Sequence, residues 1–160
     1  AIVDRPEHLL DAVLIATISM SGHPRFHLAI AVHDLKAARD FYGGLLGCTE
    51  GRSAEHWIDF DLYGHQLVAH LDTSGAAAVR LTNAVDGDDV PIPHFGVLLE
   101  PAVWGQLAEQ LTAGGVEFMI KPHTRFTGEV GEQSTMFFLD PSGNALEFKS
   151  FTDDDQVFAN

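Results

Sequence analysis

The chain repeats itself. Phe26-His27-Leu28-Ala29-Ile30 is answered by Pro93-His94-Phe95-Gly96-Val97, and in both places the histidine opens an apolar run that leads into a segment of helical spacing. The two histidines lie 67 positions apart, too far for a small solenoid repeat and suited to a duplicated supersecondary module. A length of 160 residues suffices for one compact core or for two small halves that share one, and the repeat selects the halves.

Residues 25 to 32 alternate between Pro24 and Asp34 and predict a strand. Asp34 is placed to cap a helix on which Leu35, Ala38, Tyr42 and Leu45 recur at three- and four-residue spacing, with Gly47 ending it. Three short runs follow, at 49 to 52, 56 to 62 and 65 to 71. Residues 72 to 90 lack sustained periodicity and read as a linker. The pattern then restarts with a strand at 92 to 99 and a helix begun by Pro101 that carries Val103, Leu107 and Leu111 on one face. Gly114-Gly115 stops it, and return strands are expected from 116, at 135 to 139 and at 144 to 148, the last two joined by the turn Asp140-Pro141-Ser142-Gly143. The order strand, helix, strand, strand, strand therefore occurs twice, at about 25–71 and 92–151, within a single domain over 23–160. Residues 1–22 read as an N-terminal extension. Neither half has enough strands to hide both sheet faces, so two curved sheets placed edge to edge would form a cleft.

Charge limits the partners. With 23 acidic against 9 basic side chains, the formal net charge is -14, which excludes a Lys/Arg footprint for nucleic acid. The acidic runs at 86–89 and 153–155 read as solvated surface. The apolar stretch 12–16 is too short to span a bilayer and follows Asp4, Glu7 and Asp11, so no membrane or secretory role is expected. Cys48 is the single cysteine; it permits no internal disulfide, fits a reducing cytoplasmic setting, and reads as a small packing residue.

His27 and His94 hold equivalent positions, and a pseudo-twofold arrangement would turn both into the cleft. Glu147 lies on the last apolar run between Leu146 and Phe148, where an unpaired charge would cost several kcal/mol. A divalent cation would supply its partner, and two histidines with one carboxylate form a recurrent ligand set that leaves coordination positions open. In the polar stretch between apolar strands, Arg125 and Glu132-Gln133 are placed to meet an anionic substrate at the cleft mouth. Arg52, Trp57 and Phe138 are candidates for the opposite wall.

The segments FHLAIAVHDLKAARDFYGGLLG, PHFGVLL and FFLDPSGNALEFK resemble the vicinal oxygen chelate superfamily, which includes glyoxalase I, fosfomycin-resistance proteins, bleomycin-binding proteins and extradiol dioxygenases. The likeness covers residues 25 to about 151. GRSAEHWIDFDLYGHQLVAHL and RFTGEVGEQSTMFFLDPSGNALEFK are similar, more narrowly, to small bacterial proteins described as predicted extradiol dioxygenases. The resemblance implies an α+β fold of paired βαβββ modules forming a curved sheet cleft, with His27, His94 and Glu147 as metal ligands. Aligning Gly64 with Gly143 sets Val68 opposite Glu147, so the first half offers no fourth carboxylate, which favours a three-ligand Fe(II) site over a four-ligand one. Gln66 and His70 flank Val68 on one strand face and would supply a fourth donor only through a shift of register.

His65-Gln66-Leu67 resembles the strand where extradiol enzymes keep an acid–base histidine, and an imidazole exchanges protons near neutral pH. His70, Trp57, Arg125, Gln133 and Phe137 are the implied substrate contacts; Phe137 is a departure, because many ring-cleaving relatives have Tyr ten residues before the carboxylate. The expected activity is cleavage of a catecholic, vicinal-oxygen substrate by dioxygen at Fe(II), in a cytoplasmic homodimer. The alternatives are a glyoxalase-type lyase or isomerase using Ni, Zn or Mn, and a protein that sequesters a small molecule without turnover.

Overall fold

The alternating run at the first histidine becomes β1 (His27–Val32), in a computed structural model that describes residues 24–75, 81–85 and 87–159; the extension expected at 1–22 lies outside the described residues. Leu28, Ile30 and Val32 turn inward, while His27, Ala29 and Ala31 stay exposed. Asp34 caps α1 (Leu35–Ala38) through its carboxylate, which accepts from the Lys36 and Ala37 backbone N–H groups. The helix continues as a widened π-helical segment over Arg39–Leu45, in which consecutive Phe41 and Tyr42 are both buried. Three strands follow: β2 (Thr49–Ala54), with a register shift between Glu50 and Ser53, β3 (Trp57–Leu62) and β4 (His65–Leu71). Their sheet order is β1-β4-β3-β2, with β1 parallel to β4.

The second half repeats this order. β7 (His94–Phe95), α2 (Pro101–Ala113), β8 (Phe118–Arg125), β9 (Gln133–Leu139) and β10 (Ala145–Phe151) build a sheet of order β7-β10-β9-β8, with β7 parallel to β10. The last two strands of each sheet are joined by turns whose Gly64 and Gly143 have φ of +88° and +86°, a conformation that a side chain disfavours.

Three expectations shift. The stretch expected to be linker at 72 to 90 instead carries β5 (Leu81–Val85), which pairs in an antiparallel ribbon with β6 (Asp88–Ile92). The strand expected over 92 to 99 keeps only two ladder residues. Arg125 and Gln133 are not loop residues: they end β8 and begin β9, directly opposite one another.

One apolar cluster joins both halves. Phe41, Tyr42, Phe60 and Leu67 of the first pack with Leu107, Leu111, Phe138, Leu146 and Phe148 of the second, and Phe138 stacks on Phe148 with ring centroids 5.9 Å apart. At the centre, the buried Tyr42 hydroxyl donates to Asp140 at 2.9 Å. Burial, reinforced by the Asp140 charge, holds that phenol protonated far above the ordinary tyrosine range. Cys48 is buried, which pushes its thiol up to about 11 and leaves it a packing residue.

Candidate metal centre

Strand alternation sorts β9 and β10 into two faces. Met136, Phe138, Leu146 and Phe148 meet the helices, while Thr135, Phe137, Glu147 and Lys149 share the other face, with Phe137 opposite Glu147 and Thr135 opposite Lys149 in register. Glu147 is only 9 % exposed, and each of its oxygens is occupied. Oε2 lies 3.1 Å from His94 Nε2; Oε1 accepts from the Thr135 hydroxyl at 2.7 Å and lies 3.3 Å from Lys149 Nζ. Burial by itself would raise the Glu147 carboxyl, but bonds from His94 and Thr135 and the Lys149 charge outweigh it, and the group titrates below the ordinary glutamate range. The bond to Glu147 raises His94 above the ordinary histidine value, against the opposing effect of burial.

β7 ends where the chain comes closest to the ligand strand. A Cβ on Gly96 would stand 1.6 Å from the carbonyl oxygen of Glu147, so the chain at Gly96 lies directly against the backbone of the ligand strand. Pairing resumes one turn of the pleat later, where Leu98 bridges Lys149. Only glycine permits this approach, which holds the His94 strand close to Glu147. In sequence, the sign of this role is that Gly96 stands where the aligned repeat has Ala29. Thr135 and Lys149 carry no such sign, although Lys149 lies two residues from Glu147 and Thr135 is the register partner of Lys149.

Both histidines have one ring nitrogen engaged. His94 Nδ1 lies 2.7 Å from the Pro91 carbonyl oxygen of β6, and His27 Nδ1 lies 2.8 Å from Gln66 Oε1 on β4. These oxygens accept, so each Nδ1 donates and each Nε2 is the nitrogen left to coordinate; without a metal His94 Nε2 donates its own proton to Glu147 Oε2, and a cation between the two would take that proton's place. An outer hydrogen bond of this kind orients a ring as a metal ligand requires. Gln66, considered as a fourth donor, instead serves His27. The donor set therefore fits a divalent cation. The three expected ligands do not assemble within one chain, however: His94 and Glu147 meet, His27 stands on the first sheet, and no group of three His, Cys, Asp or Glu side chains among the described residues is placed to hold a metal.

The remaining expected residues fall on two surfaces. His70 and Trp57 are register partners on the same face of the first sheet as His27 and Gln66. Arg52 stands 5.9 Å over the Trp57 ring and 3.4 Å from the nearly buried Asp59. Gln133 and Phe137 share the Glu147 face of the second sheet, with Arg125 opposite Gln133. Phe137 is buried beneath Val90 and Ile120 and meets the His94 ring edge-on at 5.1 Å. Arg125 donates to Asp88 of the β5–β6 ribbon at 2.8 Å, which ties the ribbon over this sheet. Gln133 Oε1 is buried with no hydrogen-bond partner among the described residues. His65 alternates to the face opposite Gln66, and its Nδ1 accepts from the Phe26 backbone N–H at 3.1 Å, at the strand end next to His27. A cavity of about 430 Å³ separates the exposed edges of β1 and β7, lined by Leu28, Ile30, His94, Phe95 and Asn144 among others.

The profile of the Glyoxalase/Bleomycin resistance protein/Dioxygenase superfamily matches residues 26–148. A glyoxalase/bleomycin resistance protein/dioxygenase from Alicyclobacillus acidocaldarius is 34 % identical, with a TM-score of 0.70 over 85 % of this chain and 97 % of that one. Two structures share the fold at lower identity. A genomically encoded fosfomycin resistance protein from Listeria monocytogenes is 18 % identical, with a TM-score of 0.60 over 84 % of this chain and 98 % of that one. A lactoylglutathione lyase from Agrobacterium tumefaciens is 14 % identical, with a TM-score of 0.57 over 88 % and 99 %. No curated protein is similar enough in sequence to count as a match.

Proposed function

Because the chain belongs to the glyoxalase/bleomycin resistance/dioxygenase superfamily, we propose that it is a cytoplasmic, Fe(II)-dependent extradiol-type dioxygenase acting on a catecholic or related vicinal-oxygen substrate, with His27, His94 and Glu147 as the ligands. The observation that supports the metal assignment is the matched outer hydrogen bond of the two histidines, each giving its Nδ1 proton to an oxygen and leaving Nε2 to coordinate, with His94 Nε2 already directed at Glu147. Iron held there supplies a centre that chelates adjacent oxygens and exchanges electrons with dioxygen. The absence of a fourth carboxylate favours this over the glyoxalase-type alternative, because Val68 occupies the place that matches Glu147.

His27 comes from a second copy in this reading. β1 and β7 are the outer strands of their sheets, and outer strands present unpaired backbone groups that invite pairing between chains. A twofold dimer that sets the β1 edge of one copy beside the β7 edge of the other brings the face bearing His27, His70 and Trp57 over the face bearing Glu147, Phe137 and Gln133. Arg125, bound to Asp88, shapes the mouth. Phe137 closes off water behind His94. His65, expected as the acid–base group, accepts the Phe26 backbone N–H on the face opposite His27 and has no part in this reading.

Mixed dimers test ligands and assembly together. His27→Ala and Glu147→Ala chains carrying different tags are each expected to lose most bound metal as homodimers, whereas the purified mixed dimer regains one metal per dimer, because one of its two sites is intact. No recovery overturns the shared site. Dioxygen uptake with ring opening across a catechol panel supports the dioxygenase reading. No uptake, with turnover of a thiol adduct using Ni or Zn, assigns the chain to the glyoxalase type.

A further inference from the structure

The cation nearest Glu147 has no task in that scheme. Lys149 lies two residues along β10, on the same face as the carboxylate, with Nζ 3.3 Å from Glu147 Oε1 and a third of its side chain exposed. Arg125 on this face is bonded to Asp88. A cation beside a metal ligand weakens attraction for the metal, so a lysine here is electrostatically unfavourable unless something else takes its charge. A divalent ion and one carboxylate leave a single positive charge, which a ligand chelating through one deprotonated hydroxyl cancels. Lys149 adds a second. The chain's net charge of -14 repels anions at long range, so an anionic ligand requires a cation within contact distance. Once Glu147 shares its charge with a metal, its hold on Lys149 weakens and the ammonium is available to the cleft. Gln133, on the same face, adds a buried carbonyl oxygen with no donor among the described residues, an acceptor for a ligand hydroxyl.

We infer that Lys149 is a substrate-selecting residue: it pairs with a carboxylate carried by the vicinal-oxygen substrate, so that the protein takes acids of this class, such as catechol carboxylates, in preference to neutral catechols. The inference rests on the dioxygenase reading for the catechol nucleus, but not for the acid group.

Binding to the Fe(II)-reconstituted protein, measured by anaerobic calorimetry, separates the two. Wild type is expected to bind 2,3-dihydroxybenzoate about tenfold or more tightly than catechol, as one charge-assisted contact supplies. Lys149→Met brings that ratio close to one with iron content retained, Lys149→Arg preserves most of it, and the preference shrinks as salt is raised. Lactate and malate, which both chelate through adjacent oxygens but differ by one carboxylate, form a second pair. If neither catechol binds while malate exceeds lactate in a Lys149-dependent way, the acid subsite stands and the catechol reading falls. A ratio near one in wild type, a ratio unchanged in Lys149→Met, loss of iron from that variant, or binding by neither pair overturns the inference.

Discussion

Glu147 and His94 stabilise opposite charge states in each other, and the sign of each shift defines a pH window for the metal-free protein. A depressed carboxyl contributes stability that is complete above its ordinary value of 4.5 and lost as pH falls through the lower folded value. A raised imidazole contributes stability that is complete below its ordinary value of 6.5 and lost as pH rises through the higher folded value. Protein stripped by a chelator should therefore gain most from this pair between pH 4.5 and 6.5. Urea midpoints across pH 3 to 9 check this: His94→Asn should abolish the alkaline limb and lessen the acid one, which Thr135 and Lys149 still support. An alkaline limb unchanged in that variant would show that the ion pair contributes nothing. With metal present the order reverses on the alkaline side, because a ligand imidazole must be neutral and higher pH aids binding.

At the scale of elements, β7 and the β5–β6 ribbon decide where His94 points. The ribbon supplies the Pro91 carbonyl that holds its Nδ1 proton, and it is fastened by Arg125 to Asp88 and by Val90 on Ile120 and Phe137. Gly96 presses the following chain onto the Glu147 backbone. Gly96→Ala has no room for its methyl, since backbone rather than a flexible side-chain end stands in the way, and β7 must move off β10. The expected result is a folded protein that binds metal at least tenfold more weakly, by the range for lost supporting contacts, with destabilisation of about 1–3 kcal/mol from overpacking. Competition against a chromophoric chelator measures the first and urea unfolding the second; wild-type metal affinity in this variant would remove Gly96 from the account of the site.

For the whole molecule, the contact between halves combines the shared apolar cluster with the polar post of Tyr42 on Asp140. Asp140 also accepts from the Ser142 and Asn144 backbone N–H groups and from Asn144 Nδ2, which in turn donates to the Ala31 carbonyl of β1. The turn leading into the Glu147 strand is thereby tied to the first sheet. Tyr42→Phe keeps the ring packed against Phe41 and Phe60 and removes one buried hydrogen bond, for an expected loss of about 1–2 kcal/mol. A urea midpoint unchanged within error would mean that the apolar cluster alone holds the halves.

Local pattern was enough for much of this. Alternation and three- or four-residue spacing identified β1, β3, β4 and α2, because side-chain periodicity depends on near neighbours and on which face is wetted. The internal repeat, with Glu147 alone in an apolar strand, singled out the ligand candidates, since a buried carboxylate requires partners whatever the fold. The β5–β6 ribbon was illegible: its exposed residues carry no apolar alternation, and its pairing is rewarded only by the sheet beneath it. The close backbone approach of Gly96 to Glu147 joins residues 51 positions apart, which no local pattern records. Equally, a sequence names His27 and His94 as equivalents but does not say whether they meet in one chain. That depends on how two sheets pack, and in one chain the shared apolar cluster brings the halves together while His27 stays on Gln66 and His94 on Glu147.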